Sequence, residues 1–414
     1  MPIFTLSMQI LSKIDLPSRS RELLLNWGGI VVALFLVGIY FSTAAAMVAS
    51  VVVGLLWVLS AQFISLPVIL KRQPVAAWSL MLFGCLVVGL AYGNAPHDDA
   101  LASLKKYREL LFIPILIPLL SKAQYRDRVW QAFVIASVFS LVISFLMSLG
   151  ILETTSFHGP SLKSRITHGI FIGFFAFYCL HRSTDGGNYA RLYLALFVAA
   201  IFNIFFVVEG RTGQLLALVL IALFAVQRFG LKARLLTGMA LIVFLGLFLG
   251  FSQKAERVLE GIENTQAYMQ EKPEQADSSM GQRYTFWKYS VKLMADKPLL
   301  GYGTGSFAQE YAQIAQGERF LAHHPHNEFL FIGVQLGLLG LIPYLGFLIS
   351  QFYESRKLPE REKWLAQGLV TALLITSLFN TPIYDHTEGH WFAVMIALCF
   401  AALKSGQKTG AGDA

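Results

Sequence analysis

The chain has 414 residues, of which 55% are hydrophobic and only 14% charged, and its mean hydropathy is +0.57. A soluble protein carries about 25% charged residues, so the deficit and the repeated apolar runs exclude a set of soluble domains and indicate an all-α integral membrane protein. The net charge of +8 is not gathered into a basic block with interleaved aromatics, so no nucleic-acid partner follows from it.

In chain order, twelve transmembrane helices are expected, near 25–41, 43–63, 75–93, 108–121, 129–150, 167–182, 191–208, 212–227, 235–251, 327–351, 364–380 and 390–404. The fourth is short and holds Pro114 and Pro118, which predicts a kink or a dip into the interface. Cys85, Cys179 and Cys399 fall inside apolar runs and imply no disulfide framework. The basic N-terminal stretch (Lys13, Arg19, Arg21) leads into a full span with no small-residue cleavage site, so it is expected to be retained. The end, KSGQKTGAGDA, reads as a tail.

Lysine and arginine set the expected orientation. With an even span count, the face holding both termini carries 19 of them, against 6 in the short loops of the other face and 8 in its one long loop. Short loops decide, so both termini are expected in the cytoplasm and the long loop outside. The organisation that follows is residues 1–251 with helices one to nine, a long outer segment 252–325, residues 326–404 with helices ten to twelve, and a tail 405–414.

The outer segment has its own pattern. Residues 252–270 place Val258, Leu259, Ile262 and Tyr268 at helical spacing, as in a short amphipathic helix lying on a bilayer. The run EKPEQADSS breaks it. A second helix over 280–294 puts Tyr284, Trp287, Val291 and Met294 on one stripe, with Arg283 one turn from Trp287. LLGYGTGS follows; it lacks the G-K-[ST] ending and preceding strand of a phosphate loop, so a tight turn is expected, with Ser306 capping a helix through Ile314.

Titratable groups gather at span ends on the outer face. Arg211 stands in EGRTG at a span mouth, Lys105, Lys106 and Arg108 precede the fourth span, and Asp385, His386 and His390 occupy the last outer loop. RFLAHHPHNEFL carries His323, His324 and His326 to the start of the tenth span. Each has an ordinary reading: Arg211 snorkels or pairs with Glu209, Arg283 anchors at the interface, the lysines meet lipid headgroups, and the histidines cap or pack. Asp98-Asp99 lacks a suitably spaced third ligand, and His324 and His326 lack a partner Cys or carboxylate pattern for zinc, so no metal is expected. Taken together, two arginines and a histidine on one face suggest chemistry. Guanidinium groups clamp phosphate oxygens, and a neutral imidazole takes a proton from a hydroxyl.

The long outer segment with DKPLLGYGTGSF, followed by HPHNEFL at a span start, resembles the O-antigen ligase and O-antigen polymerase superfamily, nearest to the ligases. EGRTG with Arg211 is similar to that family's S-R-x-G element, Arg283 in GQRYTFWKYS to the arginine before its aromatic helix, and His326-Asn327 to its H-N pair. Glu209 departs from the pattern. The resemblance implies a GT-C-type, metal-independent, inverting glycosyltransferase without cofactor, in the bacterial inner membrane with a periplasmic active site. It implies transfer of O-antigen from undecaprenyl diphosphate to a sugar hydroxyl of lipid A–core, with His326 as general base and Arg211 and Arg283 on the diphosphate. Lys105, Lys106, Arg108, Asn327, His324 and Trp287 are expected as further contacts to diphosphate or acceptor, and an acid limb is expected near roughly pH 6–7. An O-antigen polymerase or a protein O-oligosaccharyltransferase would share the reaction and differ in acceptor. A polyprenyl-glycan flippase is the alternative of another class; it needs charges deep within spans, and essentially none are read there.

Overall fold

The structure is a computed structural model that describes residues 18–154, 159–270 and 278–403. The N-terminal stretch up to residue 17, most of the EKPEQADSS break and the tail from residue 404 lie outside the described residues. Among the described residues the regular elements are helices, without strands. They are α1 (Ser18–Phe41), α2 (Thr43–Leu59), α3 (Leu66–Arg72), α4 (Pro74–Tyr92), α5 (His97–Lys106), α6 (Glu109–Leu119), α7 (Ala123–Ser148), α8 (Arg165–Thr184) and α9 (Ala190–Phe202). A π-helical turn, Asn203–Val207, prolongs α9. Then come α10 (Arg211–Arg228), α11 (Leu231–Phe251), α12 (Glu256–Met269), α13 (Ser279–Asp296), α14 (Phe307–Ile314), α15 (Glu328–Ser355), α16 (Glu360–Phe379) and α17 (His386–Phe400).

Each of the twelve expected spans lies on a helix. Seven helices are by themselves long and apolar enough to cross a membrane, or eight if one bent pair counts as a span. That pair corrects the second expected span, which is not a single rod to residue 63. The chain bends by 76° after Leu59, and Ala61 sits at a left-handed φ of 53°. The fourth expected span is the short helix α6. α6 stays helical through Pro114 and Pro118, and Leu110, Ile113, Leu116 and Leu119 are buried, so it is an inner element packed on α17.

Burial sorts the helices. Residues 388–400 of α17 and 167–179 of α8 are buried without interruption, which marks both as central, whereas in α11 only Phe248 is buried. α8 and α10 touch at Gly169 and Gly213, where a Cβ on either would come within 2.8 Å of the other's Cα. Small residues let two backbones approach in an apolar medium, and Gly213 is the last residue of EGRTG, so that motif fixes where α10 begins.

The glycine-rich turn is structural, as expected, and buried from Gly301 to Thr304. Residues 297–306 wedge between α4 and α15 at a break in α15, where Gly337 has φ 55° and ψ −143°. The wedge satisfies the broken helix: Tyr302 N donates to Val334 O (3.0 Å), Gly303 N to Gln335 O (2.7 Å), and Leu338 N to Pro298 O (2.9 Å). Irregular backbone within an apolar bundle persists only where such groups are paired. Ser306 differs from expectation: its hydroxyl donates back to Gly303 O and does not cap α14.

Four buried titratable groups missed in the sequence lie at one end of the bundle, not at mid-span. Glu109, Glu328 and Glu388 stand in the first turns of α6, α15 and α17, and His168 in the first turn of α8. Side-chain contacts described below join these turns, so the N-termini of several helices converge there.

Candidate active site

Asn327 is the N-cap of α15. Its Oδ1 accepts from Leu330 N (3.0 Å) and its Nδ2 donates to Leu378 O (3.1 Å). Both ends of the amide serve the fold at this residue, where a substrate contact was expected. The cap sets the chain just before it. His326 has φ 52°, and among the described non-glycine residues only Ala61 shares a positive φ. Such a backbone costs about 1 kcal/mol or more and is held where its surroundings enforce it. One enforcing contact is Trp287, whose indole Nε1 donates to Pro325 O at 2.9 Å. Trp287 thus anchors the histidine's backbone.

The His326 ring is packed against its neighbours. Phe286 stacks on it at 6.4 Å between centroids, and His324 meets it edge-on at 4.4 Å. Its Nδ1 faces Asn380 Oδ1 at 3.4 Å. Asn380 Nδ2 donates to Glu388 Oε2 (3.2 Å), and Thr167 donates to Glu388 Oε1 (3.0 Å). Since Asn380 must present its NH2 to the carboxylate, its carbonyl faces the imidazole. That places the His326 proton on Nδ1 and leaves Nε2 with a free lone pair. Burial first, then the Arg283 charge, lowers His326 to about 4, with the Asn380 contact acting the other way. Burial lowers His324 to about 3, helped by His326 and Lys106. Both rings are held neutral near pH 7.

The arginines flank this ring on another side. Arg283, on α13, has no hydrogen bond or ion pair to any described residue; burial and the nearby Arg211 lower it to about 10, so it stays charged. Arg211 opens α10 and donates through Nη2 to Ser279 Oγ at 3.2 Å, while its buried Nη1 has no partner. The expected Glu209–Arg211 pair is absent, because Glu209 bonds Lys254 at 2.9 Å instead. A Cβ at Gly261 would meet Arg211 Nη1 at 2.5 Å, so α12 packs directly on the guanidinium. Two guanidiniums next to one another, partly desolvated, with only Glu260 acting on Arg211 as a nearby acid, make a site for a polyanion.

The basic trio before α6 is dispersed. Lys106 lies over the Tyr384 ring, 4.1 Å from its centroid, and is close enough to His324 to depress it. Arg108 Nη2 is 2.9 Å from His386 Nε2. Lys105 is exposed, and no side-chain contact ties it to the site. His324 Nδ1 is 3.3 Å from Thr381 Oγ1. Glu109, His386 and His390 offer ligand atoms within 4.8 Å of one another, a possible metal trio that sequence spacing did not reveal. Arg108 already holds His386 Nε2, however, and its fixed charge opposes a cation at that place. Asn380, Tyr384 and Glu388 were missed altogether. Their signal was the polar run NTPIYDHTEGH, which interrupts two apolar stretches just as HPHN does.

Residues 194–345 match the family model described as O-antigen ligase, a segment that contains Arg211, Arg283 and His326. A Rickettsia conorii protein provisionally named a polysaccharide ligase is 26% identical over 131 residues, 29% of this chain and 32% of that protein. The chain spans about a third of the length of the curated relative it matches. These matches support the resemblance to the O-antigen ligase superfamily read from the motifs, and the long apolar helices indicate a membrane protein.

Proposed function

We propose that this protein is a membrane glycosyltransferase that moves a glycan from a polyprenyl diphosphate donor to a sugar hydroxyl, as an O-antigen ligase does. The observation that carries the reading is His326: neutral, held in a left-handed backbone, with Nε2 free and an uncompensated arginine beside it. The donor diphosphate lies on Arg211 and Arg283. The acceptor hydroxyl gives its proton to His326 Nε2, and its oxygen bonds the anomeric carbon from the face opposite the leaving group. The bond from that carbon to the phosphate oxygen breaks, the configuration inverts, and the arginines neutralise the departing diphosphate.

Donor binding also strengthens the base. Arg283 depresses the His326 imidazole, so a bound dianion offsets that charge and raises the ring's affinity for a proton. In this reading the donor is undecaprenyl diphosphate-linked O-antigen, the acceptor is lipid A–core, the architecture is GT-C, and the site opens to the periplasm. No metal takes part in these steps. Purified protein is mixed with lipid-linked glycan, with and without lipid A–core. Glycan on lipid A–core, lost in His326→Ala, is the expected result. A lengthened lipid-linked chain instead identifies a polymerase, and a fully active His326→Ala protein refutes the base.

A further inference from the structure

The Arg211–Arg283 pair occupies one side of the histidines, and a cavity opens on another. It measures about 330 Å³, within the range of about 300–1,000 Å³ in which small-molecule sites fall, and sits among α5, the buried glycine turn, the start of α14 and the last outer loop. Tyr384 and Phe331 line it, and each ring lies 6.3 Å from the His324 ring, which in turn is 4.4 Å from His326. The cavity is therefore one side chain away from the proton-accepting imidazole. Its wall combines the partly exposed face of Tyr384 and buried Phe307 with three exposed polar groups, Asp99, Lys106 and His323.

These groups suit a charged sugar. Aromatic faces take the apolar C–H surface of a pyranose, a carboxylate accepts from its hydroxyls, and an ammonium meets an anionic substituent. Lys106 has no ion pair with any described residue; only the Tyr384 ring supports it. Its charge also falls on His324, so it faces the catalytic side of the loop.

We propose that this cavity is the acceptor subsite, and that it takes a sugar residue carrying a phosphate or carboxylate, with Lys106 on the anion, Asp99 on hydroxyls and Tyr384 under the ring. Lys106 is thereby assigned to the acceptor and not to the donor diphosphate. The assignment rests on the glycosyl-transfer reading above. It explains why the basic residues before α6 do not join the arginine pair: donor and acceptor each have their own cation, with the histidines between them.

The test measures acceptor and donor KM separately in reconstituted protein, using lipid A–core and its phosphatase-treated form. Lys106→Gln is expected to raise the KM for phosphorylated acceptor about tenfold, leave the donor KM unchanged, and abolish the wild type's preference for the phosphorylated form. Ala102→Trp, a change at an exposed wall position, is expected to fill the cavity and raise the acceptor KM for both forms. Acceptor binding without donor, followed by thermal shift on the wild type and Lys106→Gln, gives a readout independent of turnover. A donor KM that rises while the acceptor KM stays fixed would return Lys106 to the diphosphate and overturn the proposal, as would unchanged constants in both variants. If the wild type binds phosphorylated acceptor through Lys106 but transfers nothing, the glycosyl-transfer reading fails while the subsite stands.

Discussion

Asn380→Ala removes the hydrogen-bond partner that His326 has among the described residues. The contact is long, 3.4 Å, yet it selects between two tautomers, because the Asn380 amide is fixed by Glu388 behind it. A neutral hydrogen bond is worth about 0.5–1.5 kcal/mol net, and each 1.36 kcal/mol is about tenfold in rate. Losing it, with the tautomer preference and ring orientation it sets, therefore lowers kcat by about two- to tenfold. His326→Ala forfeits the whole general-base contribution, about 10²–10⁴-fold. Donor KM stays unchanged in Asn380→Ala, since the arginines are untouched. Because Asn380 acts only through His326, the double variant His326→Ala/Asn380→Ala is expected to be no slower than His326→Ala alone. Steady-state kinetics on the four proteins completes the cycle. Losses that add would mean that Asn380 acts on the reacting atoms by another route, and a wild-type kcat in Asn380→Ala would refute the tautomer argument outright.

Three further outcomes follow from the same geometry. The acid limb of kcat/KM, which reports the free protein, is expected near pH 4. Arg283→Gln is expected to move it to higher pH, because removing a neighbouring positive charge makes protonation easier, and a limb that stays put would show the two groups to be uncoupled. Arg211→Lys and Arg283→Lys are each expected to raise donor KM about ten- to a hundredfold, since lysine keeps the charge but loses the bidentate fork, while acceptor KM is unaffected. Gly169→Val is expected to lower the melting temperature and the yield of inserted protein, because α10 cannot recede from α8 by the needed distance without moving Arg211; a folded, fully active variant would show that this approach is not required.

What the sequence revealed and what it hid follow from the range of the interactions involved. Apolar periodicity is local, and all twelve expected segments are helical. The bend after Leu59 is not local, because it depends on what α2 and α3 pack against, and a continuous apolar run carries no mark of it. Arg211, Arg283 and His326 were legible as charges where apolar sequence begins or ends. Their convergence was not, since the hydrogen bonds that set the site join distant parts of the chain: His326 meets Asn380 54 residues on, and Glu388 meets Thr167 221 residues back. A buried glutamate in the first turn of a span looks like an interfacial charge until its partners are known. Glu209 shows the reverse case, in which the adjacent arginine was the wrong partner and Lys254 the right one.

The carboxylates themselves pose an electrostatic question: a site for a diphosphate has Glu328 and Glu388 buried close by. Two features resolve it. Each carboxylate is already an acceptor for groups of the protein, Glu388 from Thr167 and Asn380, and Glu328 from Ile383 N at 2.9 Å. Their hydrogen bonds are thus directed inward and fix the loop carrying Asn380 and Tyr384. α6, α8, α15 and α17 also begin at this end, and α10 begins with Arg211. Aligned peptide dipoles place about half a positive charge at each helix N-terminus, which favours the carboxylates in the first turns and a phosphate beyond them. Arg283 has no carboxylate acting on it, and Arg211 has only Glu260, which leaves the pair with net positive charge. Exchanging Glu388 for Leu would therefore harm the site by releasing Asn380, not by changing the field at the arginines: kcat is expected to fall as in Asn380→Ala while donor KM holds, and a donor KM that tightens instead would show the carboxylate to be repelling the diphosphate.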